Sequence, residues 1–199
     1  MPFDPHPVLL EGRYVRLEPM TLAHVPDLLA AAEVAPGIFR YLPIPPFAGL
    51  DGTVEWVKAA LAAKDAETEV PFVTVRRKDG MVVGSTRYLD IRRPHRGLEI
   101  GWTWITPDAQ RSAINTEAKY LMLKHAFEEQ GALRVQLKSD ANNAQSRAAI
   151  LRIGATFEGV LRKQMLRAHD GYQRDTAMFS ITDAEWPAVK TKLEKMLNR

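Results

Sequence analysis

From Gly12 to Met20 the chain reads GRYVRLEPM, with Val15 and Leu17 on one face and Tyr14 and Arg16 on the other. A period of two predicts a half-buried strand. The period then lengthens: Thr21 is an N-cap type ahead of LAHVPDLLAAAE, and Pro26 falls near the first turn, where its missing N–H is tolerated. Residues 36–47, PGIFRYLPIPPF, hold four prolines and read as a loop with apolar anchors. A second helix starts at Asp51 or Thr53 and runs through VEWVKAALAAKD. The runs EVPFVTVRR and MVVGSTRYLD flank Lys78-Asp79-Gly80, which predicts two strands and a hairpin turn with φ > 0 at both central positions. A turn over 94–97 leads to a third strand, LEIGWTWIT (98–106). Next come a helix ending near Gly131, a strand over 133–139 and a helix from about 143 to Gly154. Two long strands around Asp170-Gly171 and the helix AEWPAVKTKLEKML close the chain.

The order β-α-α-β-β-β-α-β-α-β-β-α predicts an α/β (α+β) fold: a mixed, mostly antiparallel central sheet with helices on both faces. No repeat, linker or low-complexity segment interrupts it, so residues 1–199 read as a single domain. In such a sheet a ligand sits at the carboxyl ends of the central strands, where the chain changes direction.

The segment PDAQRSAINTEAKYLMLKHAF (107–127) leaves the third strand and enters a helix, and no glycine occurs between Gly101 and Gly131. A strand-to-helix loop presents unpaired N–H groups, and the helix dipole adds positive potential. Together these bind phosphate without any particular side chain. Gln110 to Asn115 occupy that place; Ser112 and Asn115 are capping types, and Arg111 can add a charge-assisted contact. An ordinary amphipathic helix explains the segment as well. Ile114, Ala118, Leu121, Met122 and His125 then pack inward, and Glu117 complements the dipole.

With 46% hydrophobic and 26% charged residues, composition is that of an ordinary globular chain. A net charge of +3, spread along the chain, suits an anionic small molecule better than nucleic acid. The absence of cysteine excludes disulfides, thiolate catalysis and Cys-based metal sites. Neither a signal-peptide pattern nor an apolar run of about 18 residues is present, so no membrane partner is expected and a cytoplasmic location is. The five histidines lack metal-ligand spacing, and no metal is expected.

Four stretches together carry a resemblance: LEGRYVRLEPMTLAH; LEIGWTWITPDAQRSAINTEAKYLMLKHAFEEQGALRVQLK; NAQSRAAILRIGATFEGVLRK; and DGYQRDTAMFSITDAEW. The chain resembles the GNAT superfamily of acyl-CoA N-acyltransferases, particularly the branch similar to ribosomal-protein N-terminal alanine acetyltransferases. The resemblance implies acetyl-CoA as donor and an amine acceptor: a protein N-terminus or a small molecule. A homodimer is compatible with it. The family's loop runs Gln/Arg, two residues, Gly, one residue, Gly/Ala; here Gln110 matches, while Ala113 and Asn115 depart. Ala113 costs little if its φ is negative, and Asn115 either crowds the pyrophosphate or bonds to it. The amides from Arg111 through Ile114 to Asn115 would hold the pyrophosphate, and Asn143 the pantetheine arm. Backbone N–H groups of Thr103, Trp104 and Ile105 would face the thioester on a strand splayed from its neighbour.

Many relatives protonate the departing thiolate with a tyrosine on the helix after Asn143, but none lies between Asn143 and Gly154. Ser146 is then the candidate donor, although Asn143 and Ser146 also read as an N-cap and a first-turn residue. The attacking amine needs a base, and Glu99, among Leu98, Ile100 and Trp102, is the candidate, its pKa raised by burial. Alternatively it is a solvent-facing residue paired with Arg92, Arg93 or Arg96. The alternation groups Glu99 with Gly101 and Thr103. A rival reading is a non-catalytic acyl-CoA-binding module with a degenerate loop. The 36–47 loop, with Phe39, Tyr41 and Phe47, is where an acceptor pocket would lie, with Trp102 or Trp104 walling its channel.

Overall fold

The computed structural model describes residues 3–198. One sheet of eight strands carries the architecture: β1 (Leu10–Glu11), β2 (Val15–Pro19), β3 (Val70–Arg76), β4 (Val82–Arg92), β5 (Gly97–Ile105), β6 (Arg134–Asp140), β7 (Thr156–Leu166) and β8 (Gln173–Thr182). Their spatial order is β1-β2-β3-β4-β5-β6-β8-β7, and every described pairing except β5–β6 is antiparallel. The helices are α1 (Val25–Glu33), α2 (Gly49–Asp65), α3 (Ala113–Lys124), α4 (Ala144–Arg152) and α5 (Trp186–Leu197). The element order is the expected one with the two-residue β1 added. The second helix starts at Gly49, earlier than Asp51 or Thr53, and short 3-10 turns precede α1 and occupy 36–39. None of the described helices is long and apolar enough to cross a membrane.

Apolar side chains sort to both sheet faces. Ile114, Met122, Ile150, Ile153, Val189 and Leu193 bring α3, α4 and α5 onto one face, with Tyr88, Leu98 and Ile100 beneath them. Leu28, Ala32, Val57 and Ala60 bring α1 and α2 onto the other, over Val73, Val75 and Trp104. Tyr88 is fully buried, and its hydroxyl donates to the Met122 carbonyl at 2.6 Å, which offsets the cost of desolvating it.

The β3–β4 and β7–β8 hairpins share one turn chemistry. Each reads Arg-x-x-Asp-Gly, and only the glycine has φ > 0 (Gly80 +74°, Gly171 +70°). Arg76 N–H donates to the Met81 carbonyl at 2.8 Å, and Arg167 N–H to the Tyr172 carbonyl at 3.0 Å. Both turns are thus wider than a two-residue loop, and the expectation of two positive φ values is corrected. Each aspartate also accepts the next backbone N–H but one and binds the arginine before it.

Glu117 does something other than face the dipole. It is 5% exposed and accepts the N–H groups of Arg13, Tyr14 and Val15 at 2.8, 2.6 and 2.8 Å, fastening α3 to the turn before β2. Gly12 makes room for it; a Cβ there would stand 2.3 Å from the Glu117 carboxyl carbon.

Candidate active site

β5 is distorted at its centre. Its register against β4 jumps from Gly101↔Arg87 to Trp104↔Ser85, leaving Trp102 and Thr103 opposite Thr86 alone, and Trp102 has φ +53°. Such a bulge reverses the side-chain alternation. Glu99 and Gly101 look away from α3, whereas Thr103 returns to the α3 side and Trp104 packs with Phe39 and Phe47 on the opposite face. Thr103 therefore does not share a face with Glu99, as plain alternation requires.

On its other edge β5 parts from β6. The strands pair only through Gly97↔Arg134, Leu98↔Val135 and Glu99↔Gln136, although β5 continues to Ile105 and β6 to Asp140. A cavity of about 950 Å³ passes through this opening. On one side it is lined by Ser112, Asn115, Lys119 and Ser146; on the other by Ile38, Tyr41, Leu42 and Trp102. Glu99, Thr103, Trp104, Ile105, Gln110, Arg111 and Asn143 line it too. Phe39 and Phe47 do not, since both are packed against Trp104.

The loop before α3 answers the glycine question. Its one positive φ, +57°, belongs to Arg111; Ala113 and Asn115 lie inside α3 with negative φ, where neither needs glycine. Ser112 caps α3: its Oγ accepts the Ile114 N–H at 3.2 Å and donates to the Ala109 carbonyl at 2.6 Å. Gln110 is a staple, donating to the Ile105 carbonyl at 3.1 Å and accepting from Gln145 at 2.9 Å. Its side chain is thereby engaged within the protein, while the Ile114 side chain is in the core. Ala113 and Ile114 offer the site backbone only. The Asn115 Oδ1 is buried with no hydrogen-bond partner, and Asn115 borders the cavity. Asn143 caps α4, accepting the Ser146 N–H at 3.0 Å, so two helix N-termini converge on one cavity.

Glu99 is 5% exposed and pairs with none of Arg92, Arg93 or Arg96. Lys138 Nζ lies 2.7 Å from its Oε2, and Gln136 donates to the same oxygen at 3.0 Å. Asp140, which lines the same cavity, is 2% exposed.

Sequence reasoning passed over Lys119. Its ammonium group donates to Thr103 Oγ1 at 2.7 Å and Thr86 Oγ1 at 3.2 Å, with no carboxylate partner among the described residues. Burial pushes its pKa down from 10.5 to about 7. The signal was available, since Lys119 lies four residues after Asn115 and three before Met122 on the inward arc of the helix. Arg174 on β8 was missed as well, and nothing in its local pattern marks it. Among the described residues no group of three or more His, Cys, Asp or Glu is placed to hold a metal.

Residues 15–156 match the family model described as an acetyltransferase (GNAT) domain. The chain belongs to the GNAT acetyltransferase family. It is similar to a GCN5-related N-acetyltransferase from Brucella melitensis, 32% identical with a TM-score of 0.91, over 98% of this chain and 87% of that one. A structure from T. thermophilus assigned as an acetyltransferase is 36% identical with a TM-score of 0.87, over 97% of this chain and 98% of that one. Among curated GNAT proteins, YdaF of Bacillus subtilis (strain 168) carries a provisional ribosomal N-acetyltransferase name. It is 30% identical over 112 residues, 56% of this chain, and the match spans 60% of its own length. The mixed sheet with helices on both faces is the GNAT fold of these structures.

Proposed function

We propose that this GNAT chain transfers an acetyl group from acetyl-CoA to a primary amine by direct attack. The observation that carries the reading is the parting of β5 from β6 beneath two capped helix N-termini. The cavity also fits the donor: its phosphate end has the α3 amides and the Arg111 side chain. Acetyl-CoA supplies an activated thioester. Backbone N–H groups of Thr103 to Ile105 stabilise charge on the carbonyl oxygen, and the Asn143 amide orients the pantetheine arm. On the opposite wall Glu99 takes the proton that the amine sheds as the N–C bond forms. Ser146 gives a proton to the thiolate as the C–S bond breaks, and is reprotonated from solvent.

Radiolabelled acetyl-CoA with an amine panel tests the reading. Labelled product is expected; Glu99→Gln lowers kcat/KM about 100-fold or more, while CoA affinity by calorimetry stays unchanged. CoA binding without transfer to any amine would leave the acyl-CoA-binding module as the function, and no CoA binding refutes both.

A further inference from the structure

The acceptor side of the cavity holds two ionic groups that the protein leaves unmatched. Arg174 is 7% exposed; among the described residues no carboxylate lies within 4.0 Å of it, no acceptor meets its guanidinium, and its Nε is buried. Asp140 accepts the Asn142 N–H at 2.8 Å and the Tyr172 hydroxyl at 3.3 Å through Oδ1, but its Oδ2 is buried without a partner. Both residues line the cavity. Asp140 stands opposite Thr176 in the β6–β8 register, which makes Arg174 its diagonal neighbour on the same face, about 7–8 Å away. Of the other charged groups near them, Glu99 is paired with Lys138 at 2.7 Å and Arg167 with Asp170 at 2.5 Å. Burial lowers the Arg174 pKa, with attraction to Asp140 and Glu99 acting against it.

A buried guanidinium without an anion is costly, and its planar fork fits a carboxylate in two parallel hydrogen bonds. A buried carboxylate oxygen without a donor is the natural seat of an ammonium group. A protein N-terminus, whose amine adjoins an amide, leaves Arg174 unmatched, and a polyamine sets a second cation against it. We propose that the acceptor is a free α-amino acid, its carboxylate on Arg174 and its ammonium group at Asp140 Oδ2. This rests on the acetyl-transfer reading above. Ile38, Leu42 and Met165 on the same cavity wall suit an apolar side chain.

The test compares L-leucine, L-leucinamide and 3-methylbutylamine as acceptors, and calorimetric binding of each to the CoA-saturated protein. Leucine is expected to exceed both others at least tenfold in kcat/KM. Arg174→Gln removes that advantage by raising KM for leucine at least tenfold more than for the other two, and Arg174→Lys restores part of it. The ligand comparison on the unmodified protein stands even if Arg174→Gln fails to fold. Equal or better use of the amide or the plain amine overturns the proposal. If nothing is acetylated but leucine alone binds, and Arg174→Gln abolishes that binding, the amino-acid site stands and acetyl transfer fails. Absence of both transfer and selective binding overturns the amino-acid site.

Discussion

Replacing Lys119 by methionine keeps the length of the side chain and removes its charge. In the folded protein the amine titrates at about 7 against an ordinary 10.5, because burial penalises the ammonium form and no carboxylate among the described residues offsets it. Below pH 7 both states hold the proton, and the native state bears the full burial penalty. Between pH 7 and 10.5 the unfolded chain keeps a proton that the native state has released, so stability climbs with pH. Above 10.5 the gain is complete. One proton's difference is worth about 1.4 kcal/mol per pH unit once the native state has lost it, hence roughly 3 kcal/mol from pH 7 to pH 9.5. Urea unfolding of the unmodified protein and Lys119→Met at half-unit steps from pH 6 to 9.5 isolates this term, since other titrations cancel in the difference. The unmodified protein should gain on the variant by about that amount, while hydrogen bonds lost to Thr86 and Thr103 shift the offset and leave the slope. A difference constant to within about 0.5 kcal/mol would refute the idea that a buried, unpaired ammonium group lies beneath β5.

Other expectations follow from the same geometry. Glu117→Ala strips three N–H groups of their carboxylate acceptor, that of Val15 buried and those of Arg13 and Tyr14 part-buried, and should cost about 3–5 kcal/mol in denaturant midpoint analysis. Gly12→Ala places a methyl group 2.3 Å from the Glu117 carboxyl carbon and should cost about 1–3 kcal/mol alone. In the Glu117→Ala background most of that cost should vanish, and a double-mutant cycle reads the coupling. Asn115→Leu preserves α3 but removes a carboxamide that borders the cavity beside the α3 N-terminus, and with it the Nδ2 donor. CoA affinity by calorimetry should fall about tenfold or more, as for one lost Nδ2 hydrogen bond to a charged group; unchanged affinity would mean that Asn115 stands clear of the phosphates.

Most of the fold was legible because it rests on local rules. Alternation marked β2, and the Asp-Gly pairs marked both hairpins, although not the wider Arg-x-x-Asp-Gly turn, whose closure needs a side chain three residues earlier. What stayed illegible depends on partners distant in sequence. Glu117 looks like a dipole residue until the turn before β2, more than 100 residues earlier, presents three amides to it. Glu99 reads as buried or arginine-paired, whereas its partner Lys138 lies across the parallel β5–β6 pairing.

The bulge at Trp102 has the widest reach. One residue with φ +53° turns Thr103 away from Glu99 and toward Lys119, and no pattern of period two can announce such a reversal. The missing glycines mattered less than they suggested. A helix N-terminus binds anions through amides, and an alanine or asparagine already in helical conformation presents them as glycine does. The left-handed residue in this loop is Arg111, one step before the cap. The departure from the family's loop thus reduces to one side chain, Asn115, which borders the cavity without altering the helical backbone that presents the amides.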